Sequence, residues 1–162
     1  IETFLRAMWA DRSGFDSICV DRKTGNYPVK VLSIEVGARR PLGVSVSGLV
    51  LMAFAEPDDC EEVLLGNEQR LVSHGLELDV VRRRITETRS LGYAYSEVGV
   101  VPGTRALALP VFDAEQQLVA SVAVSAMSDR LSPERLAILV PLIRRQTELI
   151  AQRLNEIQTR RR

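Results

Sequence analysis

Two stretches of the chain alternate strictly between large apolar residues and small ones. In "RALALPVF", Leu107, Leu109 and Val111 fall on one side of the pattern and Ala106 and Ala108 on the other. In "LVASVAVSA", Val122 and Val124 oppose Ser121, Ala123 and Ser125. A period of two predicts strands over Arg105–Phe112 and Leu118–Ala126. The polar "DAEQQ" between them predicts a hairpin centred near Glu115. Antiparallel pairing then places Thr104, Ala106, Ala108, Ser121, Ala123 and Ser125 on one face, opposite a conventional apolar face. Small side chains with scattered hydroxyls leave either a hollow above the sheet or room for a helix packed unusually close, and the alternation alone fits both.

Elsewhere the spacing is helical. "IETFLRAMWA" places Phe4, Leu5, Met8 and Trp9 at intervals of three and four, which predicts an amphipathic helix. "FDSICV" and "VKVLSIEV" read as a first hairpin around the turn "DRKTGNYP". The apolar "VSGLVLMAFA" has helical length, and Pro57 opens a short helix through Leu65 with carboxylates in its first turns. "LDVVRRRITETRSLGY" is a surface helix whose inward stripe is Leu78, Val81, Ile85 and Thr88, stopped by Gly92. A short strand follows near Ala94. The last helix opens on Ser132 and Pro133 and carries a long apolar seam from Leu136 to Ile157, with a kink expected at Pro141. The order is helix, two strands, three helices, three strands and a long helix. Short turns between neighbouring strands imply an antiparallel sheet with helices on its faces, an α+β domain.

Composition narrows the function. At 162 residues, with 46% apolar and 26% charged, the chain is one domain with a real core. Lysine plus arginine equals aspartate plus glutamate at 21 each, so no net field draws DNA or an anionic membrane. The terminal "TRRR" reads as a solvated tail. No apolar run reaches membrane-span length and no signal peptide is visible, which points to the cytoplasm. Cys19 and Cys60 lack paired spacing and read as reduced thiols. His74 is the only histidine, which speaks against zinc sites and histidine-based triads. "SVSG" around Ser47 lacks the first glycine of a nucleophile elbow, and "GVVPG" lacks the lysine of a phosphate loop. The expectation is no catalytic residue, no metal and no cofactor.

Four segments carry a resemblance: "VGARRPLGVSVSGLVLMAF", "RSLGYAYSEVGVVPGTRALALPVFD", "LVASVAVSAMSDRLSPERL" and the closing amphipathic helix. From Val36 to Asn155 the chain resembles the effector-binding domain of IclR-type bacterial transcriptional regulators. The resemblance implies a curved antiparallel sheet flanked by helices, a profilin- or GAF-like sensor, assembled as a homodimer or tetramer. It implies a small-molecule effector held by Ser45, Val46 and Ser47 at a helix start, by Ser96, and by Thr104, Ala106, Ala123 and Ser125 on the sheet. Residues 1–162 would then be the effector-binding domain. DNA contact would belong to an N-terminal winged helix-turn-helix absent from this chain, which opens on Ile1 as though in mid-pattern. The departures change the expected ligand. Leu49 follows Gly48 where the family carries lysine, only Glu97 remains of its acidic cluster, and Ala106 stands for its frequent pocket cysteine. A more apolar wall predicts an organic acid with a hydrophobic or aromatic body. The rival readings are a pocketless interaction or dimerisation domain and, less favoured, a small hydrolase.

Overall fold

The structure, a computed structural model, describes residues 6–23, 35–99 and 101–160. Among the described residues are six strands, β1 (Arg6–Ser13), β2 (Asp16–Lys23), β3 (Arg39–Pro41), β4 (Ala94–Ser96), β5 (Thr104–Phe112) and β6 (Leu118–Met127). Four α-helices accompany them: α1 (Val46–Ala53), α2 (Pro57–Ser73), α3 (Leu78–Leu91) and α4 (Leu136–Arg160). The strands form one sheet in the order β3-β2-β1-β6-β5-β4, and every pairing is antiparallel.

The β5–β6 hairpin has the register that alternation requires, with Ala106 opposite Ser125 and Ala108 opposite Ala123. Each face of the sheet has its own core. Leu107, Leu109, Val111, Val122 and Val124 pack beneath Leu139 and Ile143 of α4. At about 1.5–3 kcal/mol for each large side chain removed from water, this layer is a main source of stability. On the other face Ala94, Ala108 and Ala123 lie in one cluster with α1, whose eight residues are all buried. Helix α1 is apolar on every side because α3 and α2 cover it from behind. Its approach to the preceding loop is close: a Cβ on Gly48 would sit 3.1 Å from the Gly43 nitrogen.

Residues 6–10, which the spacing assigns to a helix, instead belong to β1, hydrogen-bonded to β2 on one side and β6 on the other. Over so short a window three- and four-residue spacing is compatible with a central strand, and pairing on both sides overrides local preference. Residues 1–5 of that helix lie outside the described residues. The first hairpin also differs. Strand β2 turns back onto β1 at Gly14–Phe15, with Gly14 at φ +62°, and not onto "VKVLSIEV". Of that expected strand only Glu35 and Val36 are described, and neither is a strand residue. Short β3 takes the far side of β2.

Helix α2 runs past the expected end at Leu65 to Ser73, since its buried stripe continues through Asn67 and Leu71. Gly66 does not stop it. A Cβ there would lie 2.5 Å from the Phe15 ring, so the missing side chain makes room for the β1–β2 turn. Fully buried Asn67 ties down the same turn, donating Nδ2 to the Phe15 carbonyl at 2.7 Å. Gly92 ends α3 in the left-handed conformation at φ 76°, as the sequence predicts. A 3₁₀ turn at Pro133–Arg135 precedes α4, and Pro141 lies inside that helix.

Candidate functional site

The register aligns Ser96, Ala106 and Ser125 across β4, β5 and β6, in one row on the α1 side of the sheet. All three are half-buried. The adjacent row, Ala94–Ala108–Ala123, is closed, at 2%, 0% and 1% exposure beneath α1. The small residues therefore serve two purposes. Ala108 and Ala123 admit a helix, whereas Ala106 and Ser125 lie in the more open row beyond it. Thr104, next along β5, is buried, and its Oγ1 donates to the Val101 carbonyl at 2.5 Å.

Residues 97–99 and 101–103 lie against this end of β5. Ser96 Oγ donates to the Val98 carbonyl at 2.6 Å, and the Gly99 nitrogen donates to the Thr104 carbonyl at 2.8 Å. Gly99 has no room for a side chain, since a Cβ would fall on Thr104 Oγ1. Val98 stands 81% exposed, where the resemblance led one to look for an acid. From the opposite face Arg105 steadies the loop, donating to the Ser128 carbonyl at 2.8 Å and lying 3.9 Å from Glu97. Arg105 and Gly99 escape sequence reasoning because their roles depend on which backbone atoms the loop folds against.

At the start of α1, Ser45 is the N-cap, its Oγ accepting from the Gly48 nitrogen at 3.2 Å. Its hydroxyl is thus engaged in holding the helix. Val46 is buried in the α1 core. Ser47 differs: it is 3% exposed, and its Oγ has no hydrogen-bond partner. Ser121 Oγ, buried in β6, is likewise without one. A buried hydroxyl left unpaired costs about 1–3 kcal/mol, so each needs an account.

Other chemistry does not assemble. Among the described residues no group of three histidine, cysteine or acidic side chains is placed to hold a metal, and no helix is long and apolar enough to cross a membrane. Cys19 and Cys60 are buried thiols outside any disulfide, and burial raises the Cys60 thiol pKa, so it is a poor nucleophile at neutral pH.

Residues 9–152 match the family model described as the bacterial transcriptional regulator IclR C-terminal domain. The chain belongs to this IclR family. It is 25% identical to the transcriptional repressor AllR of Klebsiella pneumoniae over 83% of this chain and 50% of AllR. It is 28% identical to the transcriptional regulator KdgR of Escherichia coli K12 over 79% of this chain and 49% of KdgR. A crystal structure of a transcriptional regulator from Rhodococcus sp. RHA1 superposes with a TM-score of 0.83 at 26% identity. That match covers 94% of this chain and 62% of the other. The chain thus spans about half the length of the curated relatives it matches. Those relatives are regulators of transcription, not enzymes, and the α+β, GAF-like architecture is the one the sequence predicts. In this IclR-family domain the residues expected to hold an effector fall into three groups. Ser96, Thr104, Ala106 and Ser125 line one end of the sheet, Ser45 and Ser47 stand at the start of α1, and Val46 and Ala123 lie in the α1 core.

Proposed function

We propose that this domain senses a small molecule for a bacterial transcriptional regulator. The site is the Ser96–Ala106–Ser125 row with Thr104, beside the closed row of Ala123, and it is bounded by the start of α1 at Ser45 and Ser47, with Val46 packed behind them. The observation that carries this reading is Ser47: a buried hydroxyl without a partner, in the first turn of a helix packed against these strands. A ligand carboxylate or carbonyl would satisfy it, aided by the positive end of the α1 dipole. With Leu49, Val98 and Ala106 in place of charged or thiol anchors, the preferred effector is an organic acid with a hydrophobic or aromatic body.

Occupancy changes how copies of the domain assemble, and a separate N-terminal winged helix-turn-helix reads the operator in the cytoplasm. Ile138, Leu149 and Ile157 are exposed on α4, which favours a homodimer or tetramer. A thermal-shift screen of aromatic, branched and two- to three-carbon acids tests the reading. A true effector at a hundred times its Kd adds about 2.7 kcal/mol, roughly 5–10 °C for a domain of this size. A shift confined to the two- and three-carbon acids would overturn the ligand class. No shift from any acid would favour a pocketless interaction domain.

A further inference from the structure

A second concavity lies at the β4 edge of the sheet, where the end of α3 meets the start of α4. Leu49, Leu91, Leu136 and Tyr95 wall it, with Arg84 and Tyr93 among its polar lining residues, and it encloses about 200 Å³. Leu49 of α1 adjoins both places, but the cleft opens past the β4 edge: Tyr95 packs with the α4-side core, whereas its neighbour Ser96 belongs to the opposite face.

Arg84 is the unexplained residue. It is half-buried on α3, yet among the described residues it makes no hydrogen bond and no ion pair. Three other half-buried arginines each reach a protein acceptor. Arg82 reaches Glu61 at 2.5 Å and Asp79 at 3.0 Å, Arg12 forks onto Asp59, and Arg105 reaches the Ser128 carbonyl. Burial lowers the Arg84 pKa, opposed only by the longer-range field of Glu87. An arginine stays charged all the same, and Arg84 has no protein acceptor among the described residues to add to the water its guanidinium still reaches. Tyr93, which lines the same cleft, also makes no side-chain hydrogen bond among the described residues.

We propose that this cleft is a second ligand site, taking a small monocarboxylate with an apolar or aromatic body. Its carboxylate meets the Arg84 fork and the Tyr93 hydroxyl, and its body lies against Leu49, Leu91 and Leu136. Guanidinium is suited to carboxylate because two parallel N–H donors match its two oxygens. Exposed Glu87 at the rim disfavours a second negative charge on the ligand. The small volume limits the ligand to one ring or a short branched chain.

The test is a titration of the 162-residue chain with benzoate, read from leucine methyl NMR signals. Saturable shifts are expected at Leu49, Leu91 and Leu136, in a range reaching about ten times a millimolar Kd. Benzyl alcohol, the neutral counterpart, should not saturate there. Arg84→Gln should weaken benzoate about tenfold to a hundredfold, the loss expected for a charged hydrogen-bonded pair, and Arg84→Lys less. Leu136→Trp, which fills the cleft from α4, should abolish binding and stands in should Arg84→Gln fold poorly. Ala106→Phe should leave these shifts intact, which keeps this site independent of the effector row. The proposal is overturned by an absence of saturable shifts, by an equal response to benzyl alcohol, or by indifference to Arg84→Gln. Loss of binding in Ala106→Phe with retention in Arg84→Gln would also overturn it, placing benzoate on the sheet. So would methyl shifts that follow protein concentration and not benzoate, since the cleft would then be a contact between copies.

Discussion

Replacing Ala106 and Ala108 by phenylalanine, one at a time, separates the two uses of the small-residue face. The residues are two apart on β5 and point the same way, so strand propensity changes equally in both variants. Ala108 is 0% exposed, faces Ala94 and Ala123 across the ladder, and belongs to the α1 cluster. A benzyl group there must push α1 off the sheet. Overpacking of this kind costs about 1–3 kcal/mol, and more where the neighbours are backbone. The floor residues are alanines with no side chain to swing aside, so the upper end of that range applies. At roughly 2–4 °C per kcal/mol for a domain of this size, Ala108→Phe should lower Tm by about 5–12 °C. Ala106 is half-buried in the next row, between Ser96 and Ser125. Phenylalanine there has an open side to grow into and should cost no more than about 1 kcal/mol. Guanidinium titration with and without effector reads both quantities. Ala106→Phe should stay folded and lose the ligand-induced gain in stability. Were Ala106→Phe to destabilise as much as Ala108→Phe, both rows would be packed core and the effector assignment would fall.

Gly99→Ala tests the loop over β5. The new Cβ would fall on Thr104 Oγ1 and lie 2.8 Å from the Thr104 carbonyl oxygen. A loss of about 1–3 kcal/mol in urea is expected, with weaker effector binding as the loop lifts; unchanged stability would contradict the contact. A third prediction concerns acid. The Arg12 hydrogen bond, chiefly, holds the Asp59 carboxyl below its usual range. A depressed folded pKa stabilises above the unfolded value of about 3.9, and that contribution is lost as pH falls through the lower folded value. With both side chains about a third exposed, screening limits the pair to about 1 kcal/mol or less. Asp59→Asn should therefore be slightly less stable at pH 7 and match the parent chain once the pH has fallen below the lowered folded value. A gap that persists in acid would show that the loss has another cause.

Local signals located what depends on local structure. Alternation in "RALALPVF" and "LVASVAVSA" yielded the hairpin and its register, and Gly92 marked the end of α3. Strand β1 was hidden because its identity rests on partners far along the chain, and the run of α2 past Leu65 was hidden because Gly66 sits within the helix to receive a ring from the β1–β2 turn. The site shows the same division. Alternation and family likeness together named Ser96, Ala106 and Ser125. The pattern could not divide that face between α1 and open space, since alanine serves both. Within "RRR" at residues 82–84 the three arginines look alike; Arg84 stands apart only once Tyr93, Tyr95 and Leu136 close around it.

The position of β1 also governs the order in which the molecule can be made. Its near neighbour β2 is available within a few residues, but its other neighbour, β6, pairs Arg6 with Ser125 near the far end of the chain. During synthesis the β1–β2 ribbon therefore emerges first and waits with one bare edge until nearly the whole domain has left the ribosome. Closing so long a loop is entropically slow, so completion of the sheet should come late in folding. Until then the nascent ribbon can pair with any other exposed strand, including its counterpart on a neighbouring chain. Expression yield should accordingly respond more to chaperone supply and growth temperature than the stability of the finished domain would suggest.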